Sequence, residues 1–224
     1  MSDSKALVRR LRQVATALKV AAKWNGSGLA VDATKDDFLY ELDCYFRAAL
    51  AAKEYFDIQV AGKTVMTKSK KNAVKWPKKP GHKKNFSYLS LLSPKSGKEA
   101  FQLCPGVEIL DKDGKARAPD VSLQSTGAPD QPTHSHLLSI WDAKFTSKTG
   151  ARLPDTAVSD FVFTFQQLAS PKAPKQWTKL KGKEWQRSGL LTNAQASTEP
   201  DSVFVTYGVS ETSGFPDGPP KTRP

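Results

Sequence analysis

Asp142 and Lys144 stand two apart in the segment Leu137-Leu138-Ser139-Ile140-Trp141-Asp142-Ala143-Lys144-Phe145, and Asp120 follows Pro119 at the head of Val121-Ser122-Leu123. If both segments are strands, Asp142 and Lys144 leave the same face. Asp120 then converges on Asp142 when the two strands lie side by side. Two convergent carboxylates repel each other unless a cation compensates them. Magnesium suits such oxygen donors and keeps water positions open for chemistry, and manganese is the expected substitute. A metal held there would polarise a scissile phosphodiester and lower the pKa of a bound water. Lys144 would hold or help activate that water, or neutralise charge at phosphorus. The plainer alternative is an ion pair where an apolar strand meets solvent.

The neighbouring sequence predicts the elements that would position these groups. A helix should begin near Thr34, with Asp37 in its first turn. Phe38, Leu42, Tyr45, Phe46 and Ala49 make its apolar stripe, and Glu41 stands at the edge of that stripe. Strands are expected over Ala100–Cys104, continuing through Val107–Leu110 after Pro105-Gly106, and over Ala118–Leu123. Asp111-Lys112-Asp113-Gly114 marks a turn. Residues 137–145 are apolar on both faces, which predicts a central strand covered on both sides. A helix over Thr156–Ala169 and a last strand over Ser202–Val209 follow. The fold class is therefore α/β, a mixed central sheet flanked by helices. The expected divisions are an N-terminal basic amphipathic helix and linker (1–33), one domain (34–213) and a Gly/Pro-rich tail (214–224).

The 224 residues carry a formal net charge of +12. Between Val60 and Lys98 there are eleven lysines and no acid, read as a lysine-rich, partly mobile insertion over 60–98 in which Phe86–Leu92 forms either a strand or a short helix. Such a block either keeps the chain soluble or neutralises phosphates. On the second reading, Lys68, Lys70, Lys71, Lys75, Lys78, Lys79, Lys83 and Lys84 are the nucleic-acid contacts. Trp76, Trp177 and Trp185 stand among lysines, where they would either stack on bases or anchor loops. Leu7, Leu11, Val14 and Leu18 lie at helical spacing and predict a helix packed on the domain.

Pro119-Asp120 followed by Asp142-Ala143-Lys144 resembles the signature of the restriction-endonuclease-like, or PD-(D/E)xK, nuclease superfamily. The resemblance spans roughly 34–209. It implies a magnesium-dependent nuclease acting on DNA, with Glu41 as the acid of the preceding helix and Asp120 and Asp142 as metal ligands. Gln166 is similar to the polar residue of the following helix. Gln167 is its neighbour on another face, and Glu54 and Glu108 are alternatives for the third acid. The short motifs also recur by chance: Pro-Asp at 129–130, 154–155, 200–201 and 216–217, and Asp-x-Lys at 3–5 and 113–115. Only Asp120 with Asp142 and Lys144 has predicted strands at both halves and a helix after them. Dimerisation, or a further protein partner that selects substrate, is implied by the resemblance alone.

Other chemistry is less well supported by the spacing. His134-Ser135-His136 would share a metal, but no cysteine pair or helical histidine completes a zinc set, so a structural or exposed role is favoured. His82, within the lysines, reads as a phosphate contact. Cys44 and Cys104 are expected to be buried free thiols. No apolar run reaches membrane-spanning length and no apolar signal-peptide core is present, so a non-secreted, cytoplasmic chain without membrane contact is expected. Two other functions compete with a nuclease: a nuclease-like module that binds DNA or protein without cutting, and an RNA-binding protein with structural acids.

Overall fold

The computed structural model describes residues 36–66, 72–77, 79–145, 154–168, 188–192 and 203–206, with positions 9, 11, 13, 14, 16 and 18 near the N-terminus. Helix α1 (Asp36–Lys53) is followed by β1 (Asp57–Gly62), β2 (Thr64–Met66), β3 (Asn72–Val74), β4 (Ser87–Leu92) and β5 (Glu99–Pro105). Next come β6 (Ile109–Leu110), β7 (Ala116–Arg117), β8 (Val121–Ser125), β9 (Leu137–Lys144), helix α2 (Asp155–Leu168), β10 (Gly189–Thr192) and β11 (Val203–Thr206). Seven strands form one sheet in the order β1-β4-β5-β8-β9-β10-β11, while β2–β3 and β6–β7 are separate two-stranded ribbons. All neighbours in the large sheet are antiparallel except β9 and β10, which are parallel. A parallel pair needs a crossover connection, and α2 lies in it. The architecture is mixed α/β.

The two helices bury different faces of β9. On α1, Leu39, Leu42, Tyr45, Phe46 and Ala49 recur at helical spacing, and they join Leu103, Val121, Leu123 and Trp141 in the main core. On α2, Phe161 and Leu168 pack with Ile109, Leu137, Ile140 and Leu190. Trp141 and Ala143 therefore belong to one core and Ile140 to the other, as a strand covered on both sides requires. Leu11, Val14 and Leu18 are buried in the α1 core, so the N-terminal apolar stripe packs on the domain. Cys44 and Cys104 are free and buried, and burial pushes each thiol up to about 12. Among the described residues, no helix is long and apolar enough to cross a membrane.

The lysine-rich stretch is more regular than the partly mobile loop expected of its first half, and its Phe86–Leu92 segment resolves to a strand. Its start lies in β1 and its later half contains β4, both full members of the large sheet, with the β2–β3 ribbon between them. Leu89 and Leu91 pair β4 against both β1 and β5, so period-two apolar residues outweigh the flanking charge. The continuation of β5 through Val107–Leu110 is also corrected. Gly106 adopts φ 51, a left-handed conformation open to glycine, and β6 leaves the sheet to pair with β7.

Lys83 shows what this stretch does locally. It is 4% exposed, and its ammonium donates to Gln102 Oε1 at 2.6 Å and to the Ala128 carbonyl. Gln124 Oε1 stands at 3.5 Å. Burial lowers the pKa of this amine, yet its oxygen partners replace water for the three N–H groups. The Lys83 N–H also bonds the Asp130 carbonyl at 2.9 Å. This lysine ties its loop to the sheet. Replacing it with Met leaves those buried oxygens without a donor, so Lys83→Met should lower the unfolding free energy by about 2 kcal/mol. Lys84, exposed beside it, should tolerate the same change within about 0.5 kcal/mol; urea unfolding midpoints of the two variants check the contrast.

Candidate active site

The site is built by the register of β8 on β9. Val121 pairs with Trp141 and Ser122 with Ile140, so the next position outward sets Asp120 opposite Asp142. The backbone locks this arrangement in both directions. The Asp120 N–H donates to Asp142 Oδ1 at 3.3 Å, and the Ala143 N–H donates to Asp120 Oδ2 at 2.7 Å. Each carboxylate keeps its second oxygen for another partner.

The electrostatics are those of crowded acids. Burial, then the charges of Asp142 and Glu41, push the Asp120 carboxyl up to about 7, against the Ala143 hydrogen bond and the Lys144 charge. Burial also raises Asp142, opposed by Lys144 and by the Asp120 N–H. Glu41 is raised mainly by burial, with Lys144 lowering it and Asp37 and Asp142 raising it further. Four residues from three elements thus share one field: Glu41 of α1, Asp120 before β8, and Asp142 and Lys144 of β9. Lys144 acts on all three acids through its charge, lowering the pKa of each.

Among the described residues no three His, Cys, Asp or Glu side chains are gathered closely enough to hold a metal ion, and Glu41 is linked to the two aspartates through its charge. The other two candidates lie elsewhere: Glu108 faces His82 at 3.7 Å, and Glu54 is exposed beyond the end of α1. Two carboxylates still suit magnesium, which usually retains waters and takes one or two carboxylates plus substrate phosphates in place of an all-protein cage. Asp120 and Asp142 are the pair that fits.

Gln166 is not brought to the site. Phe161 and Leu168 turn inward, which leaves the Gln166 side chain exposed while its carbonyl accepts from Lys112 Nζ at 3.1 Å. The half-buried Gln167 offers its carbonyl to the Lys112 N–H at 3.3 Å, and neither glutamine makes a described contact with the acids. Of the eight lysines expected at nucleic acid, Lys68, Lys70, Lys71 and Lys78 lie outside the described residues. Lys83 is buried and is withdrawn from that role, Lys75 is half-buried, and Lys79 and Lys84 are exposed. Trp76 packs edge-on against Tyr45 and Phe46 in the core, which answers the stacking question in favour of anchoring. Trp177 and Trp185 lie outside the described residues. His136 Nδ1 meets the Thr133 N–H at 3.2 Å and closes a capped turn; His134 carries a buried Nδ1 without a partner.

Sequence reading missed a cavity of about 170 Å³ beside the acids, bounded by Glu41 and Asp120 and walled by residues far apart in sequence, among them Phe38, Pro77, Lys79 and Pro105. No periodicity or motif links those positions. Comparison with protein-family models, curated proteins and solved structures finds no match for this chain.

The raised Asp120 pKa has a definite consequence for stability. In an unfolded chain this carboxyl releases its proton near roughly 3.9, whereas the folded protein holds it to about 7. Between those values the native state binds more protons, so this group's contribution to stability falls as pH rises and then levels off. Asp120→Asn keeps an acceptor for the Ala143 N–H and carries no charge. It should be more stable than wild type at pH 8 in chelator and lose that advantage at pH 4, as read by urea unfolding at both values; an advantage of equal size at both would contradict the assignment.

Proposed function

We propose that this chain is a metal-dependent phosphodiesterase acting on DNA, with a restriction-endonuclease-like fold. The observation that carries it is the cross-strand placement of Asp120 opposite Asp142, with Lys144 two residues on and Glu41 facing them from α1. The order helix, antiparallel strands, helix, parallel strand supports the fold assignment. The +12 charge and the exposed Lys79 and Lys84 favour a polyanionic substrate.

In this mechanism Asp120 and Asp142 would hold magnesium, or manganese in its place, through the oxygens that their mutual backbone bonds leave free. The ion supplies Lewis-acid stabilisation of the phosphoryl oxygens and a more acidic water. Lys144 places a positive charge beside the carboxylates, where it orients the attacking water and offsets charge that builds at phosphorus. Glu41, at the edge of the site, accepts a proton or hydrogen-bonds that water.

A second reading, a nuclease-like module that binds without cutting, is favoured by the lack, among the described residues, of a gathered set of three metal-ligating side chains. Cleavage decides between them. With magnesium, wild type should cut plasmid or single-stranded DNA, and Asp120→Ala, Asp142→Ala and Lys144→Ala should each slow the reaction by about a hundredfold or more. Unchanged rates in all three variants would sink the site. Salt-sensitive DNA binding without hydrolysis under either metal would establish the binding module instead.

A further inference from the structure

We propose that the cavity beside the carboxylates receives one unpaired nucleobase of the substrate strand, so that the site acts on single-stranded or locally opened DNA in preference to intact duplex. This rests on the phosphodiesterase reading above and specifies its substrate.

The cavity measures about 170 Å³ and is bounded on one side by Glu41 and Asp120. Beyond Glu41, Asp120 and Lys79 the side chains of its wall are apolar, among them Phe38 and Leu42 from α1, Pro77 from a loop, Pro105 at the end of β5, and Ala118 just ahead of the aspartate. Proline offers no N–H. Tyr45 also lines the cavity, but its hydroxyl is committed to the Leu103 carbonyl at 2.9 Å. The surrounding backbone is committed as well. The Gly106 N–H donates to the Asp120 carbonyl at 2.9 Å, and the Gly106 carbonyl accepts from the Gly81 N–H at 3.3 Å. A wall whose one cation is Lys79 and whose rim carries two carboxylates does not suit a phosphate, which would be repelled there and lose hydrogen bonds when desolvated. It does suit the π-face of a base, which an aromatic and apolar lining recognises with little regard to sequence.

Charge orders the two ends of such a ligand. Asp120 lies at the aspartate pair where the scissile phosphate would sit, and Lys79 lines the same cavity as a cation for the flanking backbone. A base seated between them belongs to a nucleotide next to that phosphate. In a duplex that base is stacked and paired, and it reaches a concave site only when extruded or when the strand is already single.

The test uses the full chain with magnesium and three oligonucleotides: a single strand, the same strand with one abasic position, and the matched blunt duplex. The single strand should be cut at least about tenfold faster than the duplex, and the abasic position should depress cutting at its neighbouring phosphate about tenfold, as loss of one base contact implies. Ala118→Phe fills the cavity while keeping every acid and should erase both differences. A binding measurement stands beside it: with calcium in place of magnesium, a single strand carrying 2-aminopurine should change fluorescence on wild type, and unlabelled single strand should reverse the change better than duplex. Equal cutting of all three oligonucleotides would overturn the base pocket and leave the phosphodiesterase reading intact. A fluorescence change that single strand reverses, without cutting of any substrate, would uphold the pocket and overturn that reading. Neither cutting nor fluorescence change would overturn both.

Discussion

The pairing of Val121 with Trp141 is the constraint on which the site depends, because it decides which side chains of β8 and β9 meet. A slip of one residue would exchange the faces of either strand. Trp141 and Ala143 would then leave the α1 core, and Asp142 and Lys144 would enter it. Leu123 and Trp141, both buried against α1, make that slip expensive, since each large apolar side chain contributes about 2 kcal/mol by burial. The same register sets two acids directly opposite, where like charges on neighbouring strands destabilise the sheet. Hydrophobic packing wins this contest, and burial pushes both carboxyls up, with the Asp142 charge adding to the shift of Asp120.

The side of the site toward the loops is held by a different kind of interaction. Lys83 is anchored under the sheet by Gln102 and the Ala128 carbonyl. Two residues earlier, Gly81 is bonded through its N–H to Gly106 and through its carbonyl to the Glu108 N–H. These links set the loop carrying Lys79 and Pro80 against the end of β5, next to the entry to β8. Asp120 is joined to the same structure, since its carbonyl accepts from Gly106. A buried cation is expensive unless its donors are all used, and here it secures the position of an exposed one. The lysines of this stretch therefore do more than one job, and charge alone does not distinguish them.

Much of this was legible in the sequence where a segment was long and its pattern sustained. The α1 stripe, the two-faced β9 and the helix that became α2 follow from periodicities of 3.6 and 2. The Asp120, Asp142 and Lys144 constellation was legible because a two-residue spacing on a strand has one geometric meaning. Shorter or context-bound features were not. β10 has four residues, Gly189–Thr192, too few to show a period, and its place beside β9 is decided by the crossover. β4 was legible only as a strand or a short helix, because its run is short and bounded by lysines. Lys83 looked like every other member of a basic run, since its burial is created by Gln102 and Ala128, which arrive from β5 and the turn after β8. Gln166 failed for the converse reason: helix phase alone leaves open which neighbour turns outward, and Phe161 and Leu168 settle it. The cavity has no local signature at all, because its walls come from four separate stretches of chain.

The distribution of charge gives these features one logic. A chain with a net charge of +12 nonetheless concentrates Glu41, Asp120 and Asp142 at one end of its sheet, with Lys144 as the opposing charge in their field. Such a spot repels a phosphate until it is neutralised, by protons or by a cation. Protons neutralise it at the loss of its chemistry, since a protonated carboxyl is a poor donor to a hard metal. A divalent cation neutralises it and creates the electrophile together. On the proposed phosphodiesterase reading, the basic residues beyond the acids have a task the acids oppose, which is to bring a polyanion to this place at all. An acidic centre framed by lysines is the arrangement expected when one surface must attract phosphate and the groups within it must attract metal.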